Sequence, residues 1–169
     1  MLKMFIVDDE DMEREGIRSL YAWEELGLSV IGEAWNGQSA LEALTDIEPD
    51  LVITDVRMPH MDGLELLRQI HDHYPWMTCI VVSSYDDFAY VRTSLQLNAV
   101  DYVMKPVEQS VLNAALEAAI GKLRQTRKHQ ALSILMRKLP HHVDMLERWV
   151  DMIQTVQMEK RQLLIVDTL

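Results

Sequence analysis

LVITDVRMP, residues 51–59, is the stretch that decides the fold we predict for this chain. Its apolar first half is typical of a short buried strand, and Asp55 stands at the carboxyl end of that strand. Open α/β sheets bind their ligands beyond the carboxyl ends of parallel strands. An acidic side chain at this position therefore predicts a functional site.

Two further apolar runs also end in charged residues. Met4–Val7 is followed by Asp8 and Asp9, and the run Val100–Met104 is followed by Lys105. Because the carboxyl ends of parallel strands meet at one edge of a sheet, we expect these acids, Asp55 and the lysine to lie together. That combination suits a divalent cation and a phosphoryl group.

Strand and helix patterns alternate through the first two thirds of the chain. This alternation predicts βαβ crossovers and an α/β fold, a doubly wound five-stranded parallel sheet with a C-terminal helical extension. The predicted strands are Lys3–Val7, Leu28–Ala34, Leu51–Thr54, Met77–Val82 and Ala99–Met104. The predicted helices are Asp11–Tyr21, Gln38–Ile47, one that Asp62 caps and that runs to about Asp72, Asp86–Leu95, and one that begins near Val107.

The charge is unevenly distributed and divides the chain in two. Residues 1–121 carry 7 Lys+Arg and 22 Asp+Glu, a net charge of −15, whereas residues 122–169 carry 9 and 5, a net charge of +4. The acidic part should repel nucleic acid and anionic membranes. We expect the two parts to be separate functional pieces.

Composition also limits where the protein works. The only cysteine, Cys79, lies in an apolar run, which excludes a disulfide framework and predicts a buried, unreactive thiol in a reducing compartment. No apolar stretch approaches the ~20 residues that span a bilayer. Acidic residues follow the amino terminus too soon for a signal peptide. We therefore expect a soluble, cytoplasmic protein.

Residues 122–169 have a different pattern from the rest. Lys122–Gln130 is polar and basic and is predicted to extend the fifth helix, and Val143–Val156 has helical spacing. Leu163–Val166 resembles a strand that has no partner in its own part of the chain. We predict a first domain over residues 1–121, followed over 122–169 by a helical linker and the start of a truncated further domain.

The acidic cluster predicts a metal site. Converging carboxylates repel one another, so at least one should have a raised pKa unless a cation is bound. Mg²⁺ prefers oxygen ligands and keeps several waters. Asp8, Asp9, Asp55 and one backbone carbonyl near Arg57 could supply part of its coordination shell.

The same cluster predicts phosphoryl chemistry. Asp55 is the candidate nucleophile, because carboxylates form aspartyl phosphates. Lys105 can neutralise phosphoryl charge, and Ser83, at the end of the fourth strand, adds a hydroxyl. Each feature alone could be an ordinary surface residue, such as a solvated acidic residue in a loop or an exposed lysine. Four such features at four strand ends, in this order, argue against coincidence.

With these motifs, the sequence closely resembles a response-regulator receiver domain over about residues 2–121. The motifs that carry the resemblance are Val7-Asp8-Asp9-Glu10, Thr54-Asp55-Val56-Arg57-Met58-Pro59 with Met61-Asp62-Gly63, Val82-Ser83, and Asp101-Tyr102-Val103-Met104-Lys105-Pro106-Val107. The resemblance implies a flavodoxin-like receiver fold in a signalling module that receives a phosphoryl group from a sensor histidine kinase. It implies no enzymatic activity beyond self-phosphorylation and self-dephosphorylation.

The resemblance also implies a role for each site residue. Asp55 would be the phosphoacceptor, and Mg²⁺ would be held by Asp8, Asp9 and Asp55 with the backbone carbonyl of Arg57. Lys105 would pair with the phosphoryl oxygens. The switch residues would be Ser83 and Tyr102, the hydroxyl moving toward the phosphoryl group and the aromatic ring turning inward. The peptide bond between Lys105 and Pro106 would be cis.

Finer motifs resemble receivers whose output is an AraC-type helix-turn-helix domain. These motifs are Arg14-Glu15-Gly16-Ile17, Trp23-Glu24-Glu25-Leu26-Gly27, Gly32-Glu33-Ala34 and Tyr85-Asp86-Asp87-Phe88. The resemblance implies homodimerisation on phosphorylation and DNA binding only through an output domain outside this chain. Ser84 and Asn98 stand where the subgroup usually has glycine; asparagine tolerates the positive φ that such a turn needs.

Three rival functions are weaker. A flavodoxin-like cofactor binder needs a Ser/Thr/Gly-rich phosphate loop where this chain has Asp8–Asp11. A dehalogenase-type phosphohydrolase needs a second aspartate where this chain has Arg57. The alternative that we keep is a degenerate receiver that acts as a dimerising scaffold. The histidines lack the ligand spacing of a zinc site, and we expect the tryptophans to lie in or near the core.

Overall fold

The computed structural model of the chain describes residues 1–84 and 88–138. The strands are β1 (Leu2–Val7), β2 (Leu28–Ala34), β3 (Leu51–Asp55), β4 (Thr78–Ser83) and β5 (Asp101–Met104). The helices are α1 (Asp11–Ser19), α2 (Gly37–Ile47), α3 (Gly63–His73), α4 (Phe88–Gln96) and α5 (Gln109–Lys138), with a short 3-10 helix at Trp23–Leu26.

The five strands form one parallel sheet in the order β2-β1-β3-β4-β5. The chain moves outward from β1 to β2 and then crosses to β3 on the other side of β1. Strand order therefore reverses between β1 and β3, and crevices for ligands open at such reversal points. The predicted α/β fold with a doubly wound sheet is confirmed.

Apolar side chains fill both faces of the sheet, which explains the near-continuous apolar runs in the sequence. Along β1, Met4 and Ile6 belong to one buried cluster, whereas Phe5 and Val7 belong to the other. This alternation is the two-residue period of a strand. The first cluster includes residues of α1 and α5, and the second includes residues of α2 and α3.

Several local predictions are confirmed. The Asp62 side chain caps α3 by accepting a hydrogen bond from the Glu65 N–H at 2.8 Å. Asn98 adopts a left-handed conformation, with φ of 69°, and the Lys105–Pro106 peptide bond is cis. Cys79 is buried, and burial raises the pKa of its thiol to about 12.

Other predictions gave the wrong end of a strand or the wrong burial of a side chain. β5 begins at Asp101 rather than at Ala99, because the Ala99 N–H bonds to the Ser94 carbonyl and completes the turn after α4. Trp23 is buried as predicted, but Trp35 and Trp76 are 60% and 41% exposed. Trp149 and the elements predicted at 143–156 and 163–166 lie outside the described residues.

The chain forms two compact units, Met1–Arg127 and Lys128–Leu169. The helix α5 continues through residues 122–130, as predicted. In the first unit, Arg127 pairs with Asp50 at 2.5 Å, and the Lys122 ammonium donates to the Asn98 carbonyl at 3.0 Å. The boundary that we predict after Gly121 stays a prediction. None of the helices in the described ranges has the length and hydropathy needed to cross a bilayer.

The Gly63 backbone packs directly on the end of β3. A Cβ atom at Gly63 would overlap the carbonyl oxygen of Asp55, and the Gly63 N–H donates to the Val56 carbonyl at 2.8 Å. A backbone atom cannot swing aside as a flexible side chain can. We therefore expect Gly63→Ala to lower the free energy of unfolding by about 3 kcal/mol, measured by urea denaturation.

Gly121→Ala is the matched control for this prediction. Gly121 lies within α5, and a Cβ there would meet no atom within 4 Å. Alanine is the better helix former, so this change should raise stability by about 0.5–1 kcal/mol. Equal effects of the two substitutions would contradict the close contact between Gly63 and β3.

Candidate functional site

Charged side chains from three strand ends meet at the carboxyl edge of the sheet. Asp8 follows β1, Asp55 is the last residue of β3, and Lys105 follows β5. The two aspartates are only 1% and 6% exposed, and the lysine side chain is 8% exposed. Charged groups so deeply buried require partners.

The lysine is the shared partner of both aspartates. Its Nζ donates to Asp8 Oδ2 at 2.7 Å and lies 3.4 Å from Asp55 Oδ1. The remaining oxygen of each carboxylate accepts from a backbone N–H two residues further on. Asp8 Oδ1 accepts from Glu10 at 3.0 Å, and Asp55 Oδ2 accepts from Arg57 at 2.9 Å. Both carboxylates are thus held in defined orientations.

The pKa values of Asp55 and Lys105 are both shifted by burial and by the charges around them. Burial raises the pKa of the Asp55 carboxyl; the Lys105 cation opposes that rise, and the Asp8 carboxylate adds to it. Burial alone would lower the pKa of the Lys105 ammonium. Its hydrogen bond to Asp8 and the charge of Asp55 outweigh burial, so the pKa is raised. Two carboxylates share one resident cation, which leaves excess negative charge in a buried place.

The third predicted carboxylate, that of Asp9, is not buried with these two. Asp9 is exposed, and across residues 1–84 and 88–138 no three His, Cys, Asp or Glu side chains form a ready metal cluster. Neighbouring residues of an extended chain point in opposite directions, so burial of Asp8 leaves Asp9 facing solvent. The structure brings Asp8 and Asp55 together around Lys105, whereas the predicted role of Asp9 as a metal ligand stays a prediction.

The donor set nevertheless fits a hard divalent cation. Mg²⁺ binds carboxylate and carbonyl oxygens and retains waters, so it does not need a dedicated cage of protein ligands. Asp8 and Asp55 provide buried carboxylates with a net negative balance. Added positive charge would relieve the repulsion that helps to raise the pKa of Asp55.

Ser83 lies on β4, the strand beside β3, and Tyr102 lies on β5, the next strand outward. Ser83, the last residue of β4, is fully buried, and its carbonyl accepts from the Lys105 N–H at 2.8 Å. Tyr102 in β5 is half-buried and packs against the core cluster that includes α2 and α3 residues. Lys105 is thus joined to Ser83 by a backbone hydrogen bond and to Tyr102 through the chain of β5.

Arg14, the first residue of the Arg14-Glu15-Gly16-Ile17 motif, has a structural role that the sequence alone did not indicate. Its Nη1 donates to the Asp8 carbonyl at 2.7 Å, and its Nη2 pairs with the Asp11 carboxylate. Its Nε lies 3.8 Å from Glu33 in β2. One guanidinium from α1 therefore braces the acidic loop after β1.

Arg57 makes a second contact that the sequence did not reveal. Its Nη2 donates to the Tyr90 hydroxyl at 3.0 Å, and its guanidinium carbon lies 5.7 Å from the centre of the Tyr90 ring. Tyr90 belongs to α4. No local pattern could have indicated a pair separated by 33 positions in the chain.

Known proteins share this fold and sequence pattern. A family model described as the response regulator receiver domain matches residues 4–117. The chain is 33% identical, over 143 residues, to the uncharacterized transcriptional regulatory protein YesN of Bacillus subtilis. That match covers 85% of this chain and 39% of YesN. The chain thus spans less than half of the length of the curated relatives it matches.

Two solved structures are similar to most of the chain. One is the receiver domain of AraT, a response regulator from Geobacillus stearothermophilus, with 35% identity and a TM-score of 0.70. The other is a two component transcriptional regulator AraC from Clostridium phytofermentans, with 34% identity and a TM-score of 0.67. Each match covers 75% of this chain and 98% of the other.

These similarities agree with the motifs that pointed to receivers of AraC-type regulators. The family match covers more than half of the chain and contains Asp8, Asp55 and Lys105. The chain belongs to the response-regulator receiver family.

Proposed function

We propose that this chain accepts a phosphoryl group on Asp55 from a sensor histidine kinase, in a reaction that depends on Mg²⁺. Phosphorylation then switches its conformation and so controls an AraC-type transcriptional output domain that follows in a longer protein. One observation carries the proposal: Asp55 is buried beside Asp8 and is oriented by Lys105 and by the Arg57 N–H.

The transfer exchanges one bond to phosphorus for another. An oxygen of the Asp55 carboxylate bonds to phosphorus while the bond from phosphorus to the histidine nitrogen of the donor breaks. The electron pair of the broken bond stays with that nitrogen, which takes up a proton. Such transfers depend mainly on positioning and on neutralising charge, and the fixed Asp55 carboxylate and the Lys105 ammonium provide both.

We assign Mg²⁺ binding to Asp8, Asp9, Asp55 and the backbone carbonyl of Arg57. When bound, the ion would supply positive charge to the phosphoryl oxygens. Asp8 and Asp55 contribute buried carboxylates, and Asp9 contributes an exposed one. Lys105 would move its hydrogen bonds from carboxylate to phosphoryl oxygens, which are also strong acceptors.

Ser83 and Tyr102 are the proposed switch residues. A phosphoryl group adds roughly −1.5 to −2 of charge and strong acceptor oxygens. The Ser83 hydroxyl, at the end of the neighbouring strand, gains an acceptor on that side of the sheet. The half-buried Tyr102 ring can then turn inward as the hydroxyl moves. A free-energy difference of a few kcal/mol suffices to shift the population from one of these two conformations to the other.

The wider role follows from the same proposal. The partner is a sensor histidine kinase, the phosphorylated form is a homodimer, and DNA is contacted only through the output domain. The protein acts in the cytoplasm as a signalling receiver whose only reactions are its own phosphorylation and dephosphorylation. The buried, unreactive thiol of Cys79 suits that compartment.

The first prediction concerns the phosphoryl adduct. After incubation with Mg²⁺ and acetyl phosphate, intact mass should show one added phosphoryl group on the wild type and none on Asp55→Asn. Chelation of the metal should abolish the adduct. Asp62→Asn is the matched control, because Asp62 only caps α3 and asparagine caps helices equally well. A wild type that binds Mg²⁺ but gains no adduct would favour the scaffold function.

The second prediction uses the raised pKa of Asp55. In the folded state this carboxyl binds its proton more tightly than in the unfolded state, so its contribution to stability falls as pH rises through the folded pKa. At pH 7–8 and without Mg²⁺, Asp55→Asn should therefore have a higher free energy of unfolding than the wild type. The difference should shrink as pH falls through the folded pKa toward about 4, the unperturbed value.

Chemical denaturation at several pH values measures this difference. Asp46→Asn is the control, since Asp46 is an exposed residue of α2. That substitution should show no comparable pH-dependent gain. If Asp55→Asn were less stable than the wild type at every pH, the cost of burying the charged Asp55 carboxylate beside Asp8 would not outweigh its contacts with Lys105 and the Arg57 N–H.

The third prediction concerns the switch. Beryllofluoride with Mg²⁺ mimics the phosphoryl group, and its addition should shift the NMR signals of the Tyr102 ring in the wild type. The shift should be largely lost in Ser83→Ala, because the hydroxyl that couples the ring to the site is gone. An unchanged Tyr102 signal in a wild type saturated with beryllofluoride would contradict the coupling.

A further inference from the structure

Arg57 connects the loop after β3 to helix α4 through two interactions with one side chain. Its guanidinium donates to the Tyr90 hydroxyl at 3.0 Å, and its central carbon lies 5.7 Å from the ring centre. A cation within about 6 Å of an aromatic ring is attracted to it. The pair therefore combines a charge-assisted hydrogen bond with a cation–π contact.

The main chain of Arg57 contacts Asp55 at the same time. Its N–H donates to Asp55 Oδ2 at 2.9 Å. A single residue thus contacts the proposed phosphoacceptor with its backbone and α4 with its side chain. A change in the charge of Asp55 acts directly on a residue that holds α4.

Tyr90 is firmly attached to its own helix. It packs half-buried against the core cluster, and its carbonyl accepts from the Ser94 hydroxyl at 2.8 Å. Ser94 is fully buried in the same helix. A displacement of the Tyr90 ring is therefore coupled to the position of α4.

We propose that the Arg57–Tyr90 pair is a tether that holds α4 in its unphosphorylated position and that phosphorylation of Asp55 weakens. This inference rests on the proposed function, because it assumes that Asp55 receives the phosphoryl group. It adds to Ser83 and Tyr102 a separate connection, which runs from the β3–α3 loop to α4.

The weakening follows from the charges involved. In an acyl phosphate, the carboxylate charge of Asp55 moves onto the phosphoryl oxygens, so the Arg57 N–H loses a charged acceptor at Oδ2. The phosphoryl group also carries roughly −1.5 to −2 of charge and attracts the guanidinium of the same residue. A neutral phenol hydroxyl cannot compete with that charge.

Linkage gives the sign of the expected effect. A contact that stabilises the unphosphorylated arrangement must oppose binding of a phosphoryl analogue by the same factor. Loss of the contact should therefore tighten that binding. The pair lies at an exposed position, so we expect a modest factor of roughly two to five.

The test is a beryllofluoride titration of the full 169-residue chain at fixed Mg²⁺, followed by the amide signals in NMR. Tyr90→Phe removes the hydroxyl and keeps the ring. It should bind beryllofluoride roughly two- to fivefold more tightly than the wild type. In the absence of the analogue, α4 amides should exchange hydrogen faster in this variant. A purely structural role would loosen α4 without tightening the binding of the analogue.

Two further variants make the test specific. Tyr74, the residue that follows α3, has a hydroxyl 3.5 Å from Thr45 Oγ1, and Tyr74→Phe should bind beryllofluoride as the wild type does. Arg57→Gln keeps the backbone N–H of residue 57 but removes the guanidinium. In that background, the effect of Tyr90→Phe should vanish, because the guanidinium that donates to the hydroxyl is gone.

Each outcome decides the inference. Equal or weaker binding by Tyr90→Phe would overturn it, as would an effect that persists in the Arg57→Gln background or that Tyr74→Phe shares. A wild type that binds beryllofluoride and gains the phosphoryl adduct, while Tyr90→Phe binds no more tightly, overturns the tether alone. If the wild type neither binds beryllofluoride nor gains the phosphoryl adduct, the proposed function is overturned together with the tether.

Discussion

The ion pairs of the Lys105 ammonium with Asp8 and Asp55 are the interaction on which the rest of the site depends. Two carboxylates of low exposure repel each other, and the ammonium lies within ion-pair distance of both. The lysine comes from β5, whereas the acids come from β1 and β3, so this contact joins three strand ends at one edge. Burial, together with the Asp8 charge, keeps the pKa of Asp55 raised even though Lys105 opposes the rise. The site is therefore ionic, oriented and short of positive charge, and a divalent ion would supply the charge that an anionic phosphoryl group needs there.

The sheet order explains why these residues meet. β1 and β3 are neighbours at the point where strand order reverses, and the helices that leave them lie on opposite faces. A crevice is therefore left between the loops after these strands. The contact of Gly63 with the end of β3 brings the start of α3 close to Asp55 and shapes the loop that carries Arg57. The same loop contacts α4 through Arg57 and Tyr90, so the chemical site and that helix are joined by one short segment.

The sequence predicts local structure most accurately where one physical cause determines it. The cap of α3 by Asp62 and the left-handed Asn98 follow from the hydrogen-bonding and conformational habits of those residues. Strand ends were less accurate because hydrogen bonds around a turn decide them, as with Ala99 and the turn after α4. The exposure of Trp35 was missed because hydrophobicity alone does not say which side of a loop faces water.

By itself, the sequence determined the fold class, the strand ends that carry charge, and the membership of Asp8, Asp55 and Lys105 in one site. It could do so because strand alternation and the parallel crossover rule bring those ends to one edge whatever the details. Only the tertiary structure decided which acids converge, how Arg14 braces the first loop, and that Arg57 reaches Tyr90. Those contacts join residues on different elements, and their geometry depends on how the helices pack on the sheet. No spacing along the chain encodes that packing.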